Sequence, residues 1–297
     1  MRSIGLAAVL VLSSAYCIAQ SVAATSPATI SLLVTQDECA PPLTLVNLKT
    51  SSKVKPAAVE VLPDGPVDYT VLWDVSNSER GIFQSTRDAI DLTLREVPRP
   101  GLDKGLLGAF SQESYFANQY TSDPTVIMQY YRRFKPAGGT VLYDTLIDAV
   151  VRMQTFDSSD APRVVFVFSD GEDNASHHKR DQALAALLAA HIRVYAFSPN
   201  NSGFTTRGDN ILRYFAENTG GRFLVIPSSP SVNDYQRSMS KVMREIRYDW
   251  THWYRVNLQL TDSVKPGKKI ELGLTNGNRH CPLHAAAVHF NTEKPKS

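Results

Sequence analysis

The run Val67-Asp68-Tyr69-Thr70-Val71-Leu72-Trp73 constrains this chain more than any other stretch. It is short, apolar and rich in β-branched and aromatic residues, the signature of a buried strand. It ends in Asp74-Val75-Ser76-Asn77-Ser78, where the strand must turn into whatever follows. Asp74, Ser76 and Ser78 alternate, so in extended geometry their side chains share one face. One carboxylate beside two hydroxyls is hard oxygen chemistry, suited to Mg²⁺, Mn²⁺ or Ca²⁺ rather than zinc. Alone the pattern is weak, because Ser and Asp at a strand end are ordinary turn residues.

From Pro66 onward, strand and helix patterns alternate, the sign of an α/β fold. We expect a doubly wound, mostly parallel sheet with helices on both faces. Residues 164–168 show no alternation, as befits a central strand covered on both sides. Further strands are expected over 105–110, 114–120, 192–197 and 222–226. Phe83, Ile90, Leu94 and Val97 recur at helical spacing, and Pro98 and Pro100 end that helix. Ser78 is placed to cap it. Pro124 opens a second helix ending near Phe134. Leu142, Leu146, Val150 and Met153 give a third helix one buried face. Three more are expected over 181–191, 211–218 (closed by Gly220-Gly221) and 235–248.

Two later segments raise the value of the first. Gly138-Gly139-Thr140 lies in a loop before a helix, and Phe168-Ser169-Asp170-Gly171 closes the second apolar strand. Together the three segments resemble the metal-ion-dependent adhesion site of von Willebrand factor type A domains, which has a Rossmann-like fold. That motif is Asp-x-Ser-x-Ser, a distant Thr, and an Asp after a later strand. Asp74, Ser76, Ser78, Thr140 and Asp170 fill its five places in order. The resemblance covers residues 66–248, and the surrounding wording looks like secreted type A-related proteins of acidobacteria. It implies that Ser76, Ser78 and Thr140 touch a Mg²⁺ or Mn²⁺ ion (Ca²⁺ as a further option) by their hydroxyls. Asp74 and Asp170 would act largely through bound water. Neutral hydroxyls leave most of the ion's charge uncancelled, so an open position would attract a carboxylate from a protein partner. Glu79 departs from the pattern by adding negative charge near the rim, where it could tighten the ion or repel an acidic partner. Glu172 and Asp173 read as solvated loop charges, with Asp173-Asn174 shaping a turn.

The ends of the chain carry different signals. Residues 1–24 read as a secretory signal, with Arg2 followed by an apolar stretch and a small-residue cleavage site. The apolar stretch is well short of the roughly 20 residues needed to span a bilayer. A secreted or periplasmic protein is expected, and export makes the cysteines informative. Cys17 leaves with the signal, and Cys39 and Cys281 are expected to pair in an oxidising compartment, two buried free thiols being the alternative. Residues 25–65 hold brief strand-like runs at 30–34, 43–46 and 59–62, too few to bury a core alone. Residues 249–297 read as a hairpin of 253–260 with 268–274 across a turn at 264–267, with a third strand within 281–290. The two ends are expected to join as a small β appendage.

Several functions are disfavoured. A net charge of +2 without a basic run gives no purchase on nucleic acid. His177-His178 reads as a solvated loop, since adjacent residues rarely face the same way. His280, Cys281 and His284 have half the spacing of a zinc site but lack a second cluster. The expected function is binding of a protein partner through the metal, in adhesion or a related interaction. The alternatives are an accessory subunit of an envelope assembly and, last, a metal-dependent enzyme with Glu79 or Glu172 as base.

Overall fold

The computed structural model describes residues 29–156, 161–200, 202–226, 232–261, 269–270, 272–278 and 280–289. The expected signal over 1–24 and the turn at 264–267 lie outside them. The first elements are β1 (Thr29–Gln36), β2 (Val54–Val61), β3 (Asp68–Asp74), α1 (Phe83–Glu96), β4 (Lys104–Phe110), β5 (Ser114–Phe116), α2 (Pro124–Tyr130) and α3 (Leu142–Phe156). There follow β6 (Arg163–Phe168), α4 (Arg180–Ala189), β7 (Ile192–Ser198), α5 (Arg207–Thr219), β8 (Phe223–Val225) and α6 (Val232–Thr251). The chain closes with β9 (Tyr254–Leu260), β10 (Lys269–Ile270), β11 (Leu283–Ala285) and β12 (Val288–His289).

The strands β3, β6 and β7 have almost no exposed residue because both faces of their sheet are covered. Its order is β5-β4-β3-β6-β7-β8, parallel except for β5, which runs antiparallel to β4. Tyr69, Val71, Trp73, Phe166 and Phe168 point to one face and meet Ile90, Leu94, Ile127, Met243 and Trp250 from α1, α2 and α6. Leu72, Val165, Val167 and Val194 point to the other and meet Leu146, Leu184 and Phe215 from α3, α4 and α5. This is a doubly wound α/β sandwich. The strand order reverses between β3 and β6, which opens a crevice at their carboxyl ends.

The termini form a second, four-stranded sheet of order β11-β1-β9-β2, with every neighbour antiparallel. Three expectations are corrected there and nearby. β9 does not form a hairpin with the segment after it; it lies between β1 and β2, while β10 pairs with β12. The alternating face of β9 finds more apolar partners in Leu32, Val34 and Val54 than a local hairpin would offer. Residues 43–46 form no strand, because the Asn47 side chain folds back to accept from the Thr44 N–H (2.7 Å) and to donate to the Pro42 carbonyl (2.9 Å). Helix α5 begins at Arg207, four residues before the expected start. Thr206 and Asp209 form a capping box there, with side-chain bonds of 3.0 and 2.8 Å to each other's backbone N–H.

Cys39 and Cys281 are disulfide-bonded, with their Cα atoms 5.8 Å apart. His284 meets Asp37 at 3.0 Å, so the zinc-like spacing around Cys281 dissolves into a disulfide and a hydrogen-bonded histidine. The bond closes a loop with a sequence separation of 242. Replacing both cysteines by serine is expected to cost on the order of 5 kcal/mol by loop entropy. Urea unfolding of the double variant beside the parent measures it; a loss below about 1 kcal/mol would mean that the two ends hold together without the bond.

Candidate metal centre

Strand β3 ends at Asp74, and the chain turns at once into a short 3₁₀ helix, Asn77–Gly81, with Ser76 as its N-cap. That turn, rather than the start of α1, is what the serines open. Ser78 is exposed and caps no α-helix. Asp74 is wholly buried. Its Oδ1 accepts the Ser76 N–H at 2.9 Å and its Oδ2 accepts the Ser169 hydroxyl at 2.6 Å. The Ser169 oxygen in turn accepts the Gly171 N–H at 2.9 Å, tying β3 to the loop after β6. Ser76 and Ser78 bring their hydroxyl oxygens 2.9 Å apart, as their alternation requires.

Thr140 reaches the same edge on a loop fastened at both ends. Asn77 donates to the Gly138 carbonyl (3.1 Å) and Ala137 to that of Val75 (2.8 Å). The Asn174 side chain accepts the Thr140 N–H at 2.9 Å, and the Thr140 carbonyl takes the N–H groups of Asn174 and Ala175. Asp173 serves this loop too, accepting the Tyr143 N–H (3.1 Å) and the Ser176 hydroxyl (2.6 Å) at the start of α3. It is therefore a helix-anchoring residue and not a solvated charge; Glu172 is exposed.

Glu79 is the residue that the sequence reading misplaced. It is wholly buried beneath the site and not at its rim. The 3₁₀ turn from Ser76 carries it inward, where its Oε1 accepts the Asp170 N–H at 2.8 Å. Asp74, Glu79 and Asp170 each bring a carboxylate oxygen within 4.8 Å of the other two. Burial raises the Glu79 pKa to about 9, helped by the charges of Asp74 and Asp170. Burial likewise raises Asp74 to about 6, against the lowering hydrogen bonds from Ser169 and Ser76. Two buried carboxyls held above their ordinary range beside a third, half-buried carboxylate lack a positive charge. The donors are all oxygen, which fits a hard divalent cation. The bonds that Ser169 gives to Asp74 and Asn174 takes from Thr140 were not readable in the sequence, because both residue types are ordinary in turns.

The loops are set by close backbone approaches. A Cβ on Gly208, at the start of α5, would lie 1.9 Å from the Asp170 carbonyl oxygen, and one on Gly171 (φ 78°) would lie 2.2 Å from that of Gly208. The two histidines His177 and His178 do share a target: both rings approach Asp144, at 3.1 and 2.8 Å, where their backbone N–H groups also donate. The Asp144 carboxylate, opposite the end of their loop, overrides the tendency of neighbours to diverge.

No family model and no curated protein matches the chain. Solved structures do. A von Willebrand factor type A protein from Catenulispora acidiphila is 11% identical, with 89% of this chain and 74% of that one covered, at a TM-score of 0.51. Proximal thread matrix protein 1 from the mussel byssus, in a structure with a zinc-occupied metal-ion-dependent adhesion motif, is 17% identical. There 68% of this chain and 50% of that one are covered, again at a TM-score of 0.51. The fold is that of von Willebrand factor type A domains.

Proposed function

We propose that the chain is an exported binding module that engages a protein partner through a divalent cation, Mg²⁺ or Mn²⁺. The observation that carries this is the convergence of Asp74, Glu79 and Asp170 within 4.8 Å, beside the paired hydroxyls of Ser76 and Ser78, at the sheet's crevice. Ser76, Ser78 and Thr140 would hold the ion by their hydroxyls, and Asp74 and Asp170 through water. The ion supplies a Lewis-acidic position for a partner's carboxylate. Glu79 adds a third negative charge, so the ion is held more firmly and pulls less on that carboxylate than with two. We assign this role to a domain over residues 66–248, with 25–65 and 249–297 as its β appendage. Export is supported by the disulfide, and among the described residues no helix is long and apolar enough to cross a membrane.

Calorimetric titration with Mg²⁺ and Mn²⁺ tests the reading. Saturable binding is expected for the parent, with Asp74→Ala and Ser76→Ala each weakening it by about 10–100-fold while the melts show folded protein. Equal heats from all three proteins, or none from any, would sink it.

A second test moves the backbone alone. Gly208→Ala must push the Asp170 loop away, at a cost of about 1–3 kcal/mol. Divalent binding should weaken although no oxygen donor has changed. Unaltered affinity in a folded variant would mean that the position of Asp170 does not matter to the ion.

A further inference from the structure

A second charged feature lies away from the metal centre, in a groove of about 590 Å³ between α1 and α2. Arg87, Asp91 and Arg95 line it from α1, and Thr125, Gln129 and Arg132 from α2 and the 3₁₀ turn after it. On α1 the charges read plus, minus, plus at positions i, i+4 and i+8, which places them along one side of the helix over roughly 12 Å.

Among the described residues, none of the three arginines has an ion-pair partner within 4.0 Å. The Nε of Arg87 is buried without a hydrogen bond. Two acids beside them on α1 have contacts of their own. Asp88 accepts from the Gln84 side chain at 2.7 Å, and Glu96 pairs with Arg247 at 2.8 Å. Only Asp91 remains. Burial raises its pKa, while the charges of Arg95, Arg87 and Arg132 pull it the other way and that of Asp88 adds to the rise. Three cations facing one anion leave the groove positive, and a buried guanidinium N–H without an acceptor is costly.

The pattern also describes the ligand. Asp91 stands between the two helix arginines, so a single anion at the centre would be repelled. A molecule with anionic groups at its two ends and hydroxyl donors between them would satisfy all three positions. Apart from Met128 and the buried Tyr131, the lining is polar, which suits a hydrated ligand better than an apolar protein anchor. We infer that this groove binds an anionic oligosaccharide, with sulfate or carboxylate groups on Arg87, Arg95 and Arg132 and sugar hydroxyls on Asp91.

Calorimetry of the purified chain with a fully sulfated, heparin-derived tetrasaccharide tests the inference, beside its desulfated counterpart, sodium sulfate and hexaglutamate. The sulfated tetrasaccharide is expected to saturate and to bind equally in EDTA, because the metal centre plays no part. Its affinity should fall as salt is added. Arg87→Gln with Arg95→Gln, and separately Arg132→Gln, should each weaken it by about tenfold or more at unchanged melting temperature. The desulfated sugar and sulfate alone should bind far more weakly. Absence of saturable binding, binding that the substitutions leave intact, or loss in EDTA would each overturn the site. Hexaglutamate binding as tightly as the sugar would overturn the saccharide assignment in favour of an acidic protein segment.

Discussion

The metal-free protein is expected to lose stability between about pH 5 and pH 9, and Glu79→Gln is expected to remove most of that loss. Glu79 has an ordinary pKa of 4.5, and burial beside Asp74 and Asp170 raises it to about 9 in the folded chain. Below the lower value both folded and unfolded forms are protonated, and the group carries no penalty. Between the two values the unfolded chain has released its proton and the folded chain keeps it. Stability therefore falls as pH rises through this window, by up to about 1.4 kcal/mol per unit. Glutamine keeps the oxygen that accepts the Asp170 N–H at 2.8 Å and removes the charge. At pH 8 the variant should melt roughly 5–10 °C above the parent in EDTA. Excess Mg²⁺ should raise the parent's melting point and narrow this gap, because the cation supplies the missing countercharge. Parallel pH profiles for parent and variant would show that Glu79 does not share its charge with the site.

Asp249→Ala should be the most damaging substitution outside the metal centre. Asp249 is wholly buried in α6 and accepts two bonds from the Arg222 guanidinium, at 2.6 and 2.8 Å. It also accepts the Tyr195 hydroxyl from β7 at 3.0 Å. Arg222 reaches on to Asp37, just beyond β1, at 2.8 Å, and Asp37 meets His284 of β11 at 3.0 Å. The network thus fastens α6 and the central sheet to the terminal sheet. Burial works against the Arg222 charge, but Asp249, Tyr195 and Asp37 together drive its pKa upward and it stays a cation. Among the described residues, removing Asp249 leaves that cation with Asp37 and the more distant Glu245 as ion-pair partners, and the Tyr195 hydroxyl without the acceptor it uses. A loss of about 3–5 kcal/mol is expected in urea unfolding. Asp249→Asn, which keeps the shape and one of the two acceptor oxygens, should lose less than alanine. A loss under about 1 kcal/mol for alanine would mean that water reaches Arg222 and takes over.

Much of the central layer was legible because its signals are local. A strand buried on both faces, such as 164–168, needs apolar residues throughout, and a helix such as α3 needs Leu142, Leu146, Val150 and Met153 on one side. Both demands are written within a few residues. Asp74, Ser76 and Ser78 were readable for the same reason, since alternation at a strand end brings two hydroxyls together whatever lies around them. The terminal sheet was not readable in this way. Strand β9 has apolar residues to match several partners, and β1 and β2 lie some 200 positions away in the chain, where no local rule chooses among them.

By itself the sequence determined the alternating α/β plan and the order of the motif residues, and it favoured a pairing of two cysteines over free thiols. These depend on period, composition and short-range geometry. The tertiary structure decided what depends on convergence. It turned Glu79 inward through one 3₁₀ turn, making a presumed rim charge a buried third carboxylate. It brought Arg132 across to Arg87 and Arg95, and joined Asp37, Arg222, Asp249 and His284 across two sheets. Charge interactions act through space, and their cost or gain is set by the burial that only the packed chain creates.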